Sequence, residues 1–439
     1  MLSAAKHLRL FFVMSELPVI RAQHAKFRHA SWSGPLQGGY NGRAIAERRS
    51  AVTKLTMLLL VAGFGPRALA LSPVTVEQVE SILAADHGQS DGKVADHISG
   101  LRLTERASSA RLARWQAEFP SKRTSDALLA LADASAFLDL PLAEILAIEK
   151  PDPETRKQIL KRMVDYVNTT IHKLPNFSTK RTTKRFDDLS LVERMKIRKD
   201  ADGRSAVPPY ISTPTQPQAL QVADITAVTI TYRNGREVAD ARADQSRKAE
   251  LYGVGLTTHG EFGPILSVVV GDAIKGRFFW GHWEQGTAGP MAVFRYRVPQ
   301  ELSHYTITLA NDHPESPAYH GELAIDPANG AILRISVVAD LDPPAALDLN
   351  PAALSKSNRP VPTLEASIEV EYGPVTIGDV PYICPIKGVA LSRLPKGTES
   401  LYSNFDGSIR AVDFPPQTYV NDVSFTQYHL FRADMRILP

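Results

Sequence analysis

The chain has 439 residues, 44% hydrophobic and 22% charged, with 50 Lys and Arg against 47 Asp and Glu. Ten of the basic and two of the acidic residues lie within 1–70, so residues 71–439 hold 50 − 10 = 40 basic and 47 − 2 = 45 acidic side chains, a net charge of −5. That balance excludes a nucleic-acid partner recognised through basic character, and the single cysteine, Cys384, excludes an internal disulfide.

Residues 1–50 show no sustained helical or strand period. An apolar run, Leu55 to Phe64, then follows Lys54 and leads to Ala68-Leu69-Ala70. A basic residue, about ten apolar residues and small residues before the junction predict a secretory signal peptide over 52–70, cleaved after Ala70. The run is shorter than the roughly 20 apolar residues that span a bilayer. Residues 1–70 are therefore read as an upstream segment and leader, and the rest as a periplasmic or extracellular protein with no transmembrane segment. Its 369 residues suit two domains.

The first, 71–175, reads as helical. Ser72-Pro73 fits N-cap and N1, with Val76, Val79, Ile82 and Leu83 at helical spacing. Further helices are expected near 91–99, from Ser108 or Ser109 through Leu112, Trp115 and Phe119, over 124–138, and over 153–172 with Ile159, Met163, Tyr166 and Val167 as the apolar stripe. The period then changes to two. Residues 177–186, rich in Lys and Arg, read as an exposed or edge strand whose Lys180, Arg181, Lys184 and Arg185 are solvated. Residues 187–220 carry four prolines from Pro208 to Pro217 and read as a loop or stiff linker. Strands are expected over 225–233, 277–284, 291–298, 303–310, 319–326, 331–340, 364–372, 380–392 and 424–438. Asn234-Gly235 and Asn329-Gly330 mark hairpins. Along 364–372, Leu364, Ala366, Ile368, Val370 and Tyr372 form a dry face, and Glu365, Ser367, Glu369 and Glu371 a wet one. Thr258-His-Gly-Glu261 matches a capping box opening a helix over 261–273, with Phe262, Ile265, Leu266, Val269 and Val270 on one side.

The chemistry-bearing residues form no strong motif. His259, Glu261, His282 and Glu284 lack metal-ligand spacing. His320 and Glu322 share a strand face without a nucleophile elbow, and Ser303-His304 is a strand start. Cys384 reads as a buried, inert thiol. No cofactor fingerprint is present, so no cofactor or metal is expected. Phe278, Phe279, Trp280 and Trp283, with Phe294 and Tyr296, form an aromatic cluster with side chains on both faces of one strand, more than a one-sided core accepts.

An apolar helix followed by a meander, with YHGELAIDPANGAILRI (319–335) and IEVEYGPVTIGDVPYICPIKGVA (368–390), resembles the outer-membrane lipoprotein carrier superfamily over 176–439. In that pattern a strand meets D-P-x-x-G and the next strand carries an arginine, here Arg334. GEFGPILSVVVGDA (260–273) and HWEQGTAGPMAVFRYRVP (282–299) are similar to uncharacterised secreted bacterial proteins. The resemblance implies an open antiparallel half-barrel with a helix on its apolar face; it does not cover the helical domain ahead of it, and the two together make an α+β protein. It also implies a non-enzymatic role, binding a lipid or acyl chain between sheet and helix. The expected lining is Phe262, Leu266, Val269, Trp280, Trp283, Leu323, Leu333, Ile368 and Val370. The rival readings are an envelope protein that docks a protein partner, and a hydrolase using His320/Glu322 or His282/Glu284.

Overall fold

The computed structural model describes residues 9–11, 71–170, 173–188, 219–238, 255–258, 260–308, 314–341, 365–394, 397–402, 409–414 and 417–431. The leader over 52–70 and its cleavage site, His259 and most of the proline-rich stretch lie outside them. All the described residues belong to one compact unit.

Ten antiparallel strands form the main sheet: β1 (Phe177–Asp187), β2 (Gln221–Arg233), β3 (Arg236–Val238), β4 (Arg277–Gln285), β5 (Pro290–Val298), β6 (Ala318–Ile325), β7 (Ile332–Asp340), β8 (Glu365–Ile377), β9 (Val380–Leu394) and β10 (Gln417–Leu430). Their order is β3-β2-β1-β10-β9-β8-β7-β6-β5-β4, so the sheet is open, with β3 and β4 at its edges. The last strand lies between β1 and β9, which makes β1 an interior strand rather than an edge. Interior position explains why Arg181 and Arg185 are buried and not solvated. The 303–310 strand is a correction as well: among its described residues only Ile307–Thr308 is a strand, and it lies outside the main sheet. Asn234 (φ 51°) and Gly235 (φ 79°) turn the β2–β3 hairpin as expected. At the β6–β7 turn Gly330 (φ 80°) takes the left-handed conformation without Asn329.

Six α-helices occur among the described residues: α1 (Val76–Asp86), α2 (Asp91–Ser99), α3 (Ser109–Glu118), α4 (Lys122–Asp133), α5 (Pro153–Thr170) and α6 (Pro264–Lys275). Helix α1 starts later than expected because Thr75, not Ser72, closes the capping box, with Gln78. Ser72–Val74 pairs instead with Leu101–Leu103 as a short parallel ribbon.

The sheet is covered on both faces. On one, Ile159, Met163 and Val167 of α5 and Ile265, Leu266, Val269 and Val270 of α6 pack with Phe294, Tyr296, Leu323, Ile335, Ile368 and Val370 in one core. On the other, the apolar sides of α1–α4 meet Phe186, Val389, Leu391 and Val420. This second cover corrects the wet face of β8: Ser367 is fully buried and Glu369 nearly so. A short strand, Gly255–Thr257, crosses the α6 face. The Leu256 amide donates to Ser392 Oγ at 3.2 Å, and its carbonyl accepts from Asn421 Nδ2 at 2.7 Å. Arg9–Phe11 runs parallel to it.

Candidate functional site

The expected binding site lies where α6 meets the sheet, and most of its residues form core there. Phe262, Leu266, Val269, Leu323, Ile368 and Val370 are all buried. Phe262 sits in a separate aromatic group with Phe177, Tyr232, Phe425 and Tyr428. Between Tyr166, Leu266, Ile332, Tyr372 and Ile383 the remaining space is about 20 Å3, room for one water. A drug-sized ligand needs roughly 300–1,000 Å3. Leu333 is a correction. It points to the opposite face and packs with Met291, Val293 and Ala324. The pairing shifts between Ala324 and Ile325, so alternation counted from Ile332 puts Leu333 away from α6.

The start of α6 also differs from the capping box. Gly263 and Pro264 open the helix with no side-chain cap. The Thr258 hydroxyl donates instead to Glu261 Oε1 at 2.5 Å, and buried Arg181 donates to the Thr258 carbonyl at 2.9 Å. Tyr372 OH donates to the Glu261 carbonyl at 3.0 Å. These contacts fasten the segment before α6 to β1 and β8.

Trp280 and Trp283 remain partly exposed. They stand edge to face at 5.2 Å, Trp280 meets Phe294 at 5.3 Å, and Trp283 Nε1 donates to the Glu149 carbonyl at 3.0 Å. Both lie on β4, an edge strand. Phe278 and Trp280 point to the α6 face, and Phe279 to the other, where it is 52% exposed. The free side of β4 is met only near its end among the described residues, where Leu146 N donates to the Trp283 carbonyl at 3.0 Å and Ile145 bridges Glu284. From Arg277 to His282 no other strand among the described residues pairs with the outer edge. An edge strand without such cover is a template for another strand.

The face opposite α6 carries a buried charge cluster that sequence reading missed. Glu284 accepts two hydrogen bonds from Arg334, at 2.5 and 2.8 Å, and one from Arg106 at 2.8 Å. Glu322 and Glu369 lie 3.5–4.0 Å from the same two guanidinium groups. His282 Nε2 approaches Glu284 at 3.4 Å. Burial alone would raise Glu284, yet Arg334 and Arg106 hold it well below the usual carboxylate range. Burial pushes Glu369 up to about 7 against the pull of the same arginines. The cluster joins the front end to the sheet, since Arg106 comes from the loop before α3 and the others from β4, β6, β7 and β8. A second joint has Lys387 Nζ at 2.6 Å from Asp133 of α4 and 3.8 Å from Asp422. Burial raises both of those carboxyls.

Of the two proposed acid–base pairs, His320 and Glu322 part company, while His282 stays beside Glu284. His320 Nδ1 meets Asp340 at 2.7 Å, while Glu322 accepts from Arg295 Nε at 3.1 Å. Glu284, beside His282, is held by two guanidinium groups, an arrangement that fastens elements rather than moves protons. A different pair is present: His304 Nδ1 lies 2.6 Å from buried Asp272, which also accepts from the His304 amide and from Tyr319 OH. The only hint in the sequence was an Asp on the apolar side of α6. Ser303 beside it bonds the Tyr305 carbonyl, and no triad forms there. Cys384 is buried, and burial pushes its thiol up to about 12, an inert state at neutral pH. No helix among the described residues is long and apolar enough to cross a membrane, and no group of three or more His, Cys, Asp or Glu there is placed to hold a metal ion. No protein-family model, curated protein or solved structure matches this chain.

Proposed function

We propose that this is a non-enzymatic binding protein that engages a protein partner through the edge strand β4. The observation that carries this reading is the open stretch Arg277–His282, with aromatic side chains on both faces. Addition of a partner strand there would satisfy the outward backbone groups and cover Phe278, Phe279 and Trp280 together. The leader expected over 52–70 would place the partner in the cell envelope. To test this, a photoreactive residue is placed at Phe279 and, as a control, at Leu142, which is 86% exposed. The reading expects adducts of discrete mass from Phe279 and none from Leu142. Equal labelling at both positions, or none, contradicts it.

A second reading is a half-barrel carrier for a lipid or acyl chain beneath α6. It is favoured by the polar fastening at Arg181, Thr258 and Glu261, whose release would let α6 swing away from an apolar sheet face. With about 20 Å3 free, the ligand must displace the helix. Native followed by denaturing mass spectrometry tests it. A stoichiometric lipid supports the carrier, and a ligand-free protein removes it.

A further inference from the structure

From the charges beside β4 we infer the chemistry of the partner: an extended segment in which acidic and apolar residues alternate. The inference rests on the docking reading above and deepens it. Arg277 of β4 lies directly across from Arg297 of β5, and Arg297 across from His320 of β6. Both arginines are exposed on the face opposite α6, the same face as Phe279. Like charges directly opposite one another on adjacent strands repel.

The neighbouring rung shows what is missing. Arg295, across from Phe279, is paired with Glu322 and with Asp139. His320 has Asp340. Among the described residues no carboxylate forms an ion pair with Arg277 or Arg297. Among the described residues, two guanidinium groups therefore stand without an ion-pair partner, Arg277 on the edge strand and Arg297 one strand in, beside the exposed ring of Phe279.

A strand added outside β4 alternates its side chains across the two faces, as β4 does. Those on one face would lie beside Arg277 and Phe279, where a carboxylate pairs with a guanidinium. Those on the other would lie beside Phe278 and Trp280, where an apolar side chain covers the rings. The arginine pair selects the charge of the partner, and the edge supplies main-chain hydrogen bonds.

The test uses the full chain and a random-peptide phage library. The expected result is enrichment of peptides with alternating Asp or Glu and apolar residues. As synthetic peptides these bind more weakly at high salt. They lose about tenfold or more affinity for Arg277→Glu/Arg297→Glu. Both positions are exposed, so the double variant should melt like the parent, and Arg277→Gln/Arg297→Gln gives a milder loss. Peptides that are enriched without acidic residues, yet are competed by one another and crosslink at Phe279, overturn the acidic partner and leave the docking edge standing. No enrichment overturns both. Binding to phosphatidylglycerol vesicles that the charge reversal abolishes, without any selected peptide, assigns the arginines to a membrane surface and overturns the peptide.

Discussion

At the scale of single residues, the molecule depends on charges buried between its layers. Arg106 is the one member of the large cluster that comes from the front end, and it reaches Glu284 at 2.8 Å. Removing it leaves buried carboxylates short of a partner, a change that costs about 3–5 kcal/mol in comparable pairs. Arg106→Ala should lower the urea midpoint accordingly, and an unchanged midpoint would mean that the joint contributes nothing. Glu369 adds a pH dependence. Its folded value, pushed up to about 7 by burial, lies above its ordinary value of 4.5, so the folded state holds a proton that the unfolded state releases. The stability this provides is complete below pH 4.5 and is lost as pH rises towards 7, a total of about 3 kcal/mol. Glu369→Gln should lessen the decline in melts run from pH 5 to pH 8, while Asp422, also raised by burial to about 7, keeps its own share. Glu284 acts in the opposite sense, because its held-down value withdraws stability only in acid. None of this was legible in the sequence. Glu369 alternates with apolar residues as a solvated residue would, and Arg106 sits in an unremarkable loop. Burial by a distant segment leaves no local pattern.

At the scale of elements, periodicity located the helices and the long strands of the main sheet, missed short strands such as Gly255–Thr257, Gly397–Tyr402 and Ile409–Phe414, and left capping details to decide the helix ends. Helix α6 was legible from its apolar side, but Gly263-Pro264 moved its start beyond the expected box. Burying five of its large aliphatic side chains contributes about 1.5–3 kcal/mol each before entropy is counted. Leu266→Ala should therefore destabilise by about 2–5 kcal/mol, measured by urea unfolding. If the carrier reading held instead, a loosely seated helix would show a much smaller loss. In β6, Gly321 permits a close approach: a Cβ there would stand 1.9 Å from the Ser336 carbonyl oxygen and 2.8 Å from Tyr296 OH. Gly321→Ala must push β6 and β7 apart, and its melting temperature should fall well below that of Leu266→Ala. The glycine stood in plain view at 321, yet its contact with Ser336 depends on register, which spacing alone does not give.

At the scale of the whole molecule, three layers follow from α1–α4 covering one face of the sheet and α5 with α6 covering the other. The antiparallel strands, the hairpins and the helix on the apolar face were readable from alternation. That α1–α4 would cover the other face was not, because the polar residues of β8 concealed it. The aromatic surplus on β4 was legible as too much for one core, and the structure resolves it as an edge with rings on both sides. Two accounts of function therefore compete within one architecture, an interior site under α6 and an exterior one along β4, and they demand opposite dynamics. Hydrogen–deuterium exchange of the full chain separates them most directly. The docking account expects the α6 amides to exchange as slowly as the central strands, while amides of Arg277–His282 that face away from β5 exchange fast. Fast exchange throughout α6, with β4 protected, would contradict it and return the site to the space beneath the helix.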